Sequence, residues 1–200
     1  MLTIDSTVQL ANGVKMPRLG LGVWRLQPGR EAEQAVLAAL RHGYRLIDTA
    51  SLYGNEADVG RAVRASGIPR EQIFVTTKVW NDDQGYDNTK RAFHASLRRL
   101  GMDRVDLYLV HWPVRGKYKE TYRAIEDLYE EGLIRAIGVS NFKVHHLEDL
   151  LASCRVKPMV NQIELHPLLT QRETVEFCKR EGIAVESWSP IMKGKLDLPL

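Results

Sequence analysis

Leu46-Ile47-Asp48-Thr49-Ala50-Ser51-Leu52-Tyr53-Gly54-Asn55-Glu56 reads as a buried strand that runs into an acid, then a turn, then the start of a helix. Leu46 and Ile47 suit a strand interior, and Asn55 and Glu56 suit a helix opening. Asp48 therefore stands at the C-terminal end of a strand, with the Tyr53 phenol on the turn behind it. In a parallel sheet every such strand end lies along one edge. Lys78, His111, Asn141 and Gln162 each close or follow an apolar strand-like run. A site is expected at that edge.

The same unit recurs in both directions. Upstream, Val8 to Met16 is two short extended pieces about Asn12-Gly13, a strong hairpin signal. Leu19 to Trp24 follows as a strand whose Gly20 and Gly22 permit close approach to the backbone. Ala32, Ala35, Val36, Ala39 and Leu40 then mark one face of a helix that Gly43 stops, and Tyr44 to Asp48 is the next strand. Downstream, a helix carrying Ala57, Gly60, Arg61 and Val63 precedes the strand Ile73 to Val79. A helix capped among Asp87, Asn88 and Thr89, with Phe93, Leu97 and Leu100 on its apolar face, precedes Val105 to Val110. Tyr118, Thr121, Tyr122, Ile125, Leu128 and Tyr129 mark the helix before Ile134 to Val139. Val144, Leu147, Leu150 and Leu151 mark the helix before Met159 to Ile163. Thr170-Gln171-Arg172-Glu173 reads as a capping box opening a helix before the last strand, Ala184 to Trp188.

Gly43, Gly67, Gly101, Gly132 and Gly182 close helices, as glycine in a left-handed C′ position does. Strict alternation of strand and helix implies right-handed crossovers and a parallel sheet. Polar groups after nearly every strand favour a (β/α)₈ barrel, which gathers all its strand ends at one mouth. An open sheet would concentrate its ligand at one switch point. A full barrel needs an eighth strand and about 250 residues. The 200-residue chain stops in a loop after the seventh, so the eighth strand and C-terminal helices are expected to be missing.

Composition excludes several classes. With 44% hydrophobic and 26% charged residues, the chain has the profile of an ordinary globular protein. A net charge of +3, scattered along helical faces, is a solvated surface and not a nucleic-acid footprint. No apolar run is long enough for a membrane span, and Met1 to Gln9 lacks the regions of a signal peptide. Cys154 and Cys178 lack metal or redox spacing. Each falls in a helix-like segment, so both read as buried free thiols of a cytoplasmic protein. His42, His94, His145, His146 and His166 lack ligand spacing and read as structural, with no metal site.

Gly20-Leu21-Gly22-Val23-Trp24, the Asp48 to Glu56 stretch, Thr77-Lys78-Val79-Trp80, Asp106 to Pro113, Gly138-Val139-Ser140-Asn141-Phe142, Asn161 to Pro167 and Ser187-Trp188-Ser189-Pro190 together resemble the aldo-keto reductase superfamily. The likeness runs in order through residues 8 to 194 and is strongest to short bacterial members, of the glyoxal/methylglyoxal and diketogluconate reductase type. It implies one incomplete barrel domain over residues 1 to 200 and NADPH-dependent reduction of aldehydes, ketones or small dicarbonyls. It implies a catalytic tetrad of Asp48, Tyr53, Lys78 and His111. Those residue types suit such chemistry, because a carbonyl that accepts hydride needs a proton donor as charge develops. An adjacent ammonium stabilises the phenolate left behind and lowers the phenol's pKa. A buried lysine needs a counter-charge, which Asp48 can supply.

The resemblance also places the cofactor on Gly22, Asp48, Ser140, Asn141, Gln162, Trp188, Ser189 and Ile191, with Trp188 stacked on the nicotinamide and Ser189 and Ile191 at the pyrophosphate. Gly20-x-Gly22 lacks the third glycine of a Rossmann fingerprint. Val23, Trp24, Tyr53, Trp80, His111 and Trp112 would wall a pocket for a small carbonyl substrate. The family's usual residue at Val23 is threonine or a small side chain. Its segment for the adenosine 2′-phosphate has no counterpart in Ile191 to Leu200, so the NADP preference rests on the resemblance alone. A full-length protein of this type is expected to be monomeric, and the 200-residue chain, if it is the whole polypeptide, to bind NADPH weakly or not at all. Two other readings stay open here: a non-catalytic binding, regulatory or inactive truncated member of the same fold, and an unrelated barrel enzyme using Lys78 as a Schiff base. The intact tetrad speaks against the former and Asp48 beside Lys78 against the latter.

Overall fold

The structure, a computed structural model, describes residues 2–194. The tail from 195 to 200, on which part of the expected chain end falls, lies outside the described residues. A short antiparallel hairpin of β1 (Thr7–Gln9) and β2 (Lys15–Pro17) comes first. Seven parallel strands follow in sequence order: β3 (Gly20–Gly22), β4 (Leu46–Asp48), β5 (Phe74–Val79), β6 (Val105–Val110), β7 (Ile134–Ser140), β8 (Val160–Glu164) and β9 (Ala184–Trp188). Between them lie α1 (Arg30–Arg41), α2 (Glu56–Ala65), α3 (Tyr86–Leu100), α4 (Tyr118–Glu130), α5 (Val144–Leu151) and α6 (Arg172–Glu181). This is the (β/α)₈-barrel arrangement. Among the described residues β3 and β9 form its two outer strands. No helix among them is long and apolar enough to cross a membrane.

Register decides what faces the barrel interior, because residues paired in a parallel ladder share a face. Thr76 pairs with Leu107, Lys78 with Leu109, Leu109 with Gly138, Gly138 with Val160, and Gln162 with Glu186. The alternate set, including Val75, Tyr108, Ile137 and Val139, turns outward against the helices and is fully buried. Each such side chain contributes about 1.5–3 kcal/mol through apolar burial. Tyr108 packs edge-on against Phe93 of α3, with ring centroids 4.9 Å apart.

The helix-closing glycines have φ between 63° and 91° at Gly43, Gly67, Gly101, Gly132 and Gly182. Strand β4 starts at Leu46 and not at Tyr44 because Tyr44 still completes α1. Its N–H bonds the Ala39 carbonyl at 3.0 Å, and the Arg45 guanidinium covers the Leu40 and Tyr44 carbonyls. Two expected caps are absent. Helix α3 opens at Tyr86 from Gly85, whose φ is 111° and whose N–H donates to Thr121 Oγ1 at 2.8 Å. Helix α6 opens from Gln171, held at φ 40° with its amide turned back to the Glu164 carbonyl at 2.6 Å, so Thr170 caps nothing. Cys178 is buried in α6, whereas Cys154 lies in the turn beyond α5, half-buried.

Gly60 sets how closely α2 and α3 pack. A Cβ there would stand 1.9 Å from the Leu100 carbonyl oxygen, a backbone atom that cannot step aside. Gly60→Ala is expected to destabilise the fold by about 1–3 kcal/mol despite alanine's better helix propensity. Denaturant unfolding checks this; a variant more stable than wild type would contradict the packing.

Candidate active site

The ends of β4 to β9 bring one polar cluster together. Lys78, on β5, is fully buried. Its ammonium donates to both oxygens of Asp48 at 2.6 and 2.8 Å, to the Thr49 carbonyl at 2.9 Å, and reaches Tyr53 Oη at 3.4 Å. A buried amine loses its hydration, and four oxygens around it replace that shell. Burial works against the Lys78 charge, but Asp48 outweighs it with help from Tyr53 and Glu186, so the amine titrates above the ordinary lysine value. It carries a full positive charge at neutral pH.

Tyr53 ends a 3₁₀ turn, Ser51–Tyr53, closed by Gly54 at φ 71°. Buried Asn55 fixes this turn. It accepts from Thr49 Oγ1 at 2.8 Å and donates to the Val23 carbonyl at 3.0 Å, tying the phenol's loop to the loop that carries Trp24. The Trp24 ring lies 4.8 Å from that of Tyr53. The phenol departs from the sequence expectation: its pKa is raised, not lowered. Burial pushes it up, and the pull of Lys78 in the other direction is offset in part by Asp48. Tyr53 thus holds its proton throughout the neutral range.

His111 follows β6 directly. Its ring stands edge-on to Trp80 at 5.1 Å and to Tyr53 at 5.8 Å, and its Nδ1 is buried without a partner among the described residues. Burial and the Lys78 charge push its pKa down to about 3. The imidazole is therefore neutral and cannot act as a cation. Relative to the 6.5 of a free imidazole, the stability this neutral burial contributes is complete above that value and is lost as pH falls toward 3. An NMR titration of the His111 ring is expected to show no protonation above about pH 5; a midpoint close to the free-imidazole value would contradict the placement.

Strands β7 to β9 supply a second group of contacts beside the first. Gln162 Nε2 donates to Asp48 Oδ2 at 2.9 Å, linking the two. Asn141, held at φ 64°, donates to the His111 carbonyl at 2.9 Å and to Ser140 Oγ at 3.0 Å. Ser140 Oγ in turn donates to the Gln162 carbonyl at 2.8 Å. The Trp188 indole donates to Asn141 Oδ1 at 2.9 Å, which fixes the ring's plane. Ser189 has φ 53° and Ile191 is exposed on the segment beyond β9. Gly22 lies beside Asp48 in the β3–β4 ladder, and no atom lies within 4 Å of where its Cβ would stand.

Trp24 and Trp112 are 51% and 41% exposed around the opening, and Trp80 stands edge-on against His111. Val23, expected in the pocket wall, is instead fully buried in the core and offers a substrate no surface. The turn that follows β3, closed by the Leu26 N–H on the Val23 carbonyl at 3.2 Å, buries Val23 and leaves Trp24 at the mouth. Two contributors escape a reading of the sequence. Asn55 looks like a helix-capping residue, yet it braces the tyrosine turn. Glu186 sits in an apolar strand, where only its position two before Trp188 signals that it faces inward.

A model of the aldo/keto reductase family matches residues 18–198. The chain belongs to the aldo/keto reductase family. Glyoxal reductase of Bacillus subtilis is 56% identical over 194 residues, which cover 97% of this chain and 70% of that protein. The 9,11-endoperoxide prostaglandin H2 reductase of Trypanosoma cruzi is 56% identical over 188 residues, 94% of this chain and 66% of the relative. Among solved structures, an aldo/keto reductase from Brucella melitensis superposes with a TM-score of 0.93 at 50% identity, covering 98% of this chain and 76% of that one. A Bombyx mori aldo-keto reductase in complex with NADP has a TM-score of 0.89 at 36% identity, covering 100% of this chain and 72% of its own. As a family member the chain is an oxidoreductase of carbonyl groups, and its cluster stands at the C-terminal ends of the barrel strands, where barrel enzymes keep their active sites.

Proposed function

We propose that the protein reduces aldehydes, ketones or small dicarbonyls to alcohols with NADPH, Tyr53 giving the proton. The carrying observation is the contact series Asp48–Lys78–Tyr53 at the barrel mouth, a phenol 3.4 Å from a fully buried ammonium. The Bombyx mori relative, solved with NADP, and the glyoxal reductase relative support the choice of cofactor and substrate class.

The residues at the ends of β7 and β8 fit a nicotinamide carboxamide. Asn141 Oδ1 takes one hydrogen bond, from Trp188, and Gln162 uses its amide nitrogen on Asp48, which leaves acceptor lone pairs for a ligand amide. When bound, the dihydronicotinamide supplies the hydride. The remaining work belongs to this chain. Trp188, locked by its bond to Asn141, offers an aromatic face that can fix one side of a flat ring. Neutral His111 can orient the carbonyl oxygen without competing for its proton. Tyr53 donates its proton as the oxygen becomes an alkoxide, and Lys78 stabilises the phenolate that remains. Asp48 holds Lys78 in place and balances its charge. Trp24, Trp80 and Trp112 keep the mouth apolar and shed water from around a small carbonyl.

The test is consumption of NADPH by the protein in the presence of glyoxal or methylglyoxal, with the alcohol product identified by mass. Turnover that needs both components supports the reading; saturable NADPH binding with no consumption across aldehydes, ketones and dicarbonyls would overturn it.

A further inference from the structure

One half-buried acid, turned into the barrel, takes no part in that chemistry. Glu186 is the middle residue of β9 and pairs in register with Gln162 of β8. Gln162 points into the barrel, since its amide reaches Asp48, so Glu186 points inward as well. Trp188, two residues on, faces the same way and bonds Asn141. The carboxylate oxygen Oε2 of Glu186 is sealed from solvent and makes no hydrogen bond of its own among the described residues, although the Gln162 amide beside the carboxyl favours its ionised form. A barrel interior that already holds one bonded carboxylate, Asp48, thus holds a second with no ion partner of its own among the described residues.

We propose that Glu186 is a second carboxylate of the Lys78 network, a positioning residue whose state of protonation sets how readily Tyr53 releases its proton. The inference rests on the reading of Tyr53 as the proton donor. The charged and titratable groups around Glu186 are Asp48 on β4, Tyr53 on the turn after it and Lys78 on β5, with neutral Gln162 on β8. With Glu186 neutral, Asp48 and Lys78 cancel, and a phenolate at Tyr53 gains from the ammonium. With Glu186 ionised, two carboxylates share one lysine and the interior carries a net negative charge. A phenolate beside it is then disfavoured.

Burial first, and the Asp48 charge second, push the Glu186 carboxyl up to about 7, against the opposing pull of Gln162 and Lys78. Below that value Glu186 is neutral and Tyr53 gives its proton readily; above it the ionised carboxylate makes Tyr53 a weaker acid. Carbonyl reduction should therefore slow as pH rises through neutrality, before Tyr53 itself titrates.

The experiment compares the full protein with Glu186→Gln, reading kcat for NADPH-dependent reduction of methylglyoxal across the neutral range. The two should agree within about twofold near pH 5.5, and the variant should be about three- to tenfold faster near pH 8.5, the scale expected for one nearby charge. Glu186→Asp should retain the falling limb. An identical pH profile in Glu186→Gln and wild type would overturn the proposal, as would a uniform loss at every pH. A second measurement does not depend on turnover. The tyrosinate absorbance of each protein, minus that of its Tyr53→Phe counterpart, gives the ionisation midpoint of Tyr53. Glu186→Gln should lower that midpoint; an unchanged one overturns the inference even if the protein is inactive. Inactivity of wild type together with a lowered midpoint would instead count against the carbonyl-reductase reading alone.

Discussion

Tyr53→Phe is expected to lower carbonyl turnover by about two to four orders of magnitude, the range a positioned general acid contributes, while nicotinamide binding stays nearly unchanged. The substitution removes one oxygen and little else. The ring still packs at 4.8 Å against Trp24 and at 5.8 Å against His111, so the mouth keeps its shape. Lys78 loses only its longest contact, at 3.4 Å, and keeps both bonds to Asp48 and the one to Thr49. What disappears is an interaction made in the transition state, which lowers kcat and kcat/KM together and spares the ground state. Steady-state kinetics with a cofactor-fluorescence titration separates the two effects. Retention of more than about a tenth of the wild-type turnover, a barrier change of only about 1.36 kcal/mol, would remove Tyr53 from its role.

Lys78→Met should be as damaging to turnover and should also weaken the fold. Methionine fills similar volume but leaves Asp48 with the Gln162 amide as its remaining side-chain donor and strips the Thr49 carbonyl of its partner. An uncompensated buried charge costs about 3–5 kcal/mol. Asp48→Asn should do less harm to turnover, because the lysine keeps its charge and the phenol keeps its cation. Unfolding midpoints and turnover measured on the same preparations decide the matter. A Lys78→Met protein as stable as wild type and within tenfold of its rate would show that the ammonium is not what Tyr53 depends on.

Most of this architecture is visible in residue order. A period of strand, turn, helix and glycine requires only local periodicity and the left-handed tolerance of glycine, and Gly43, Gly67, Gly101, Gly132 and Gly182 all sit where that logic puts them. Placement of Asp48, Lys78 and Gln162 at one barrel end follows from parallel strands alone. Other features depend on geometry that no spacing encodes. The caps of α3 and α6 are decided by Thr121 and by the Glu164 carbonyl, distant partners that displaced the local Asp87 to Thr89 and Thr170 candidates. Whether the Tyr53 pKa rises or falls depends on burial against one ammonium, a balance between large effects of opposite sign. Val23 and Trp24 are adjacent, and the turn beyond β3 sends one to the core and the other to the mouth. Glu186 is hidden for the converse reason: its strand looks apolar, and only the register with Gln162 turns it inward.

Transfer of label from the cofactor tests the role of Tyr53 in hydride chemistry most directly. The protein is given NADPH carrying deuterium at both positions of the nicotinamide C4 together with methylglyoxal, and the alcohol is analysed by mass spectrometry beside the same reaction with Tyr53→Phe. Deuterium should appear on the product carbon with wild type. Label transfer should slow by orders of magnitude with the variant, although it binds NADPH as well. Unlabelled alcohol from wild type, or equal rates of label transfer from the two proteins, would contradict that role.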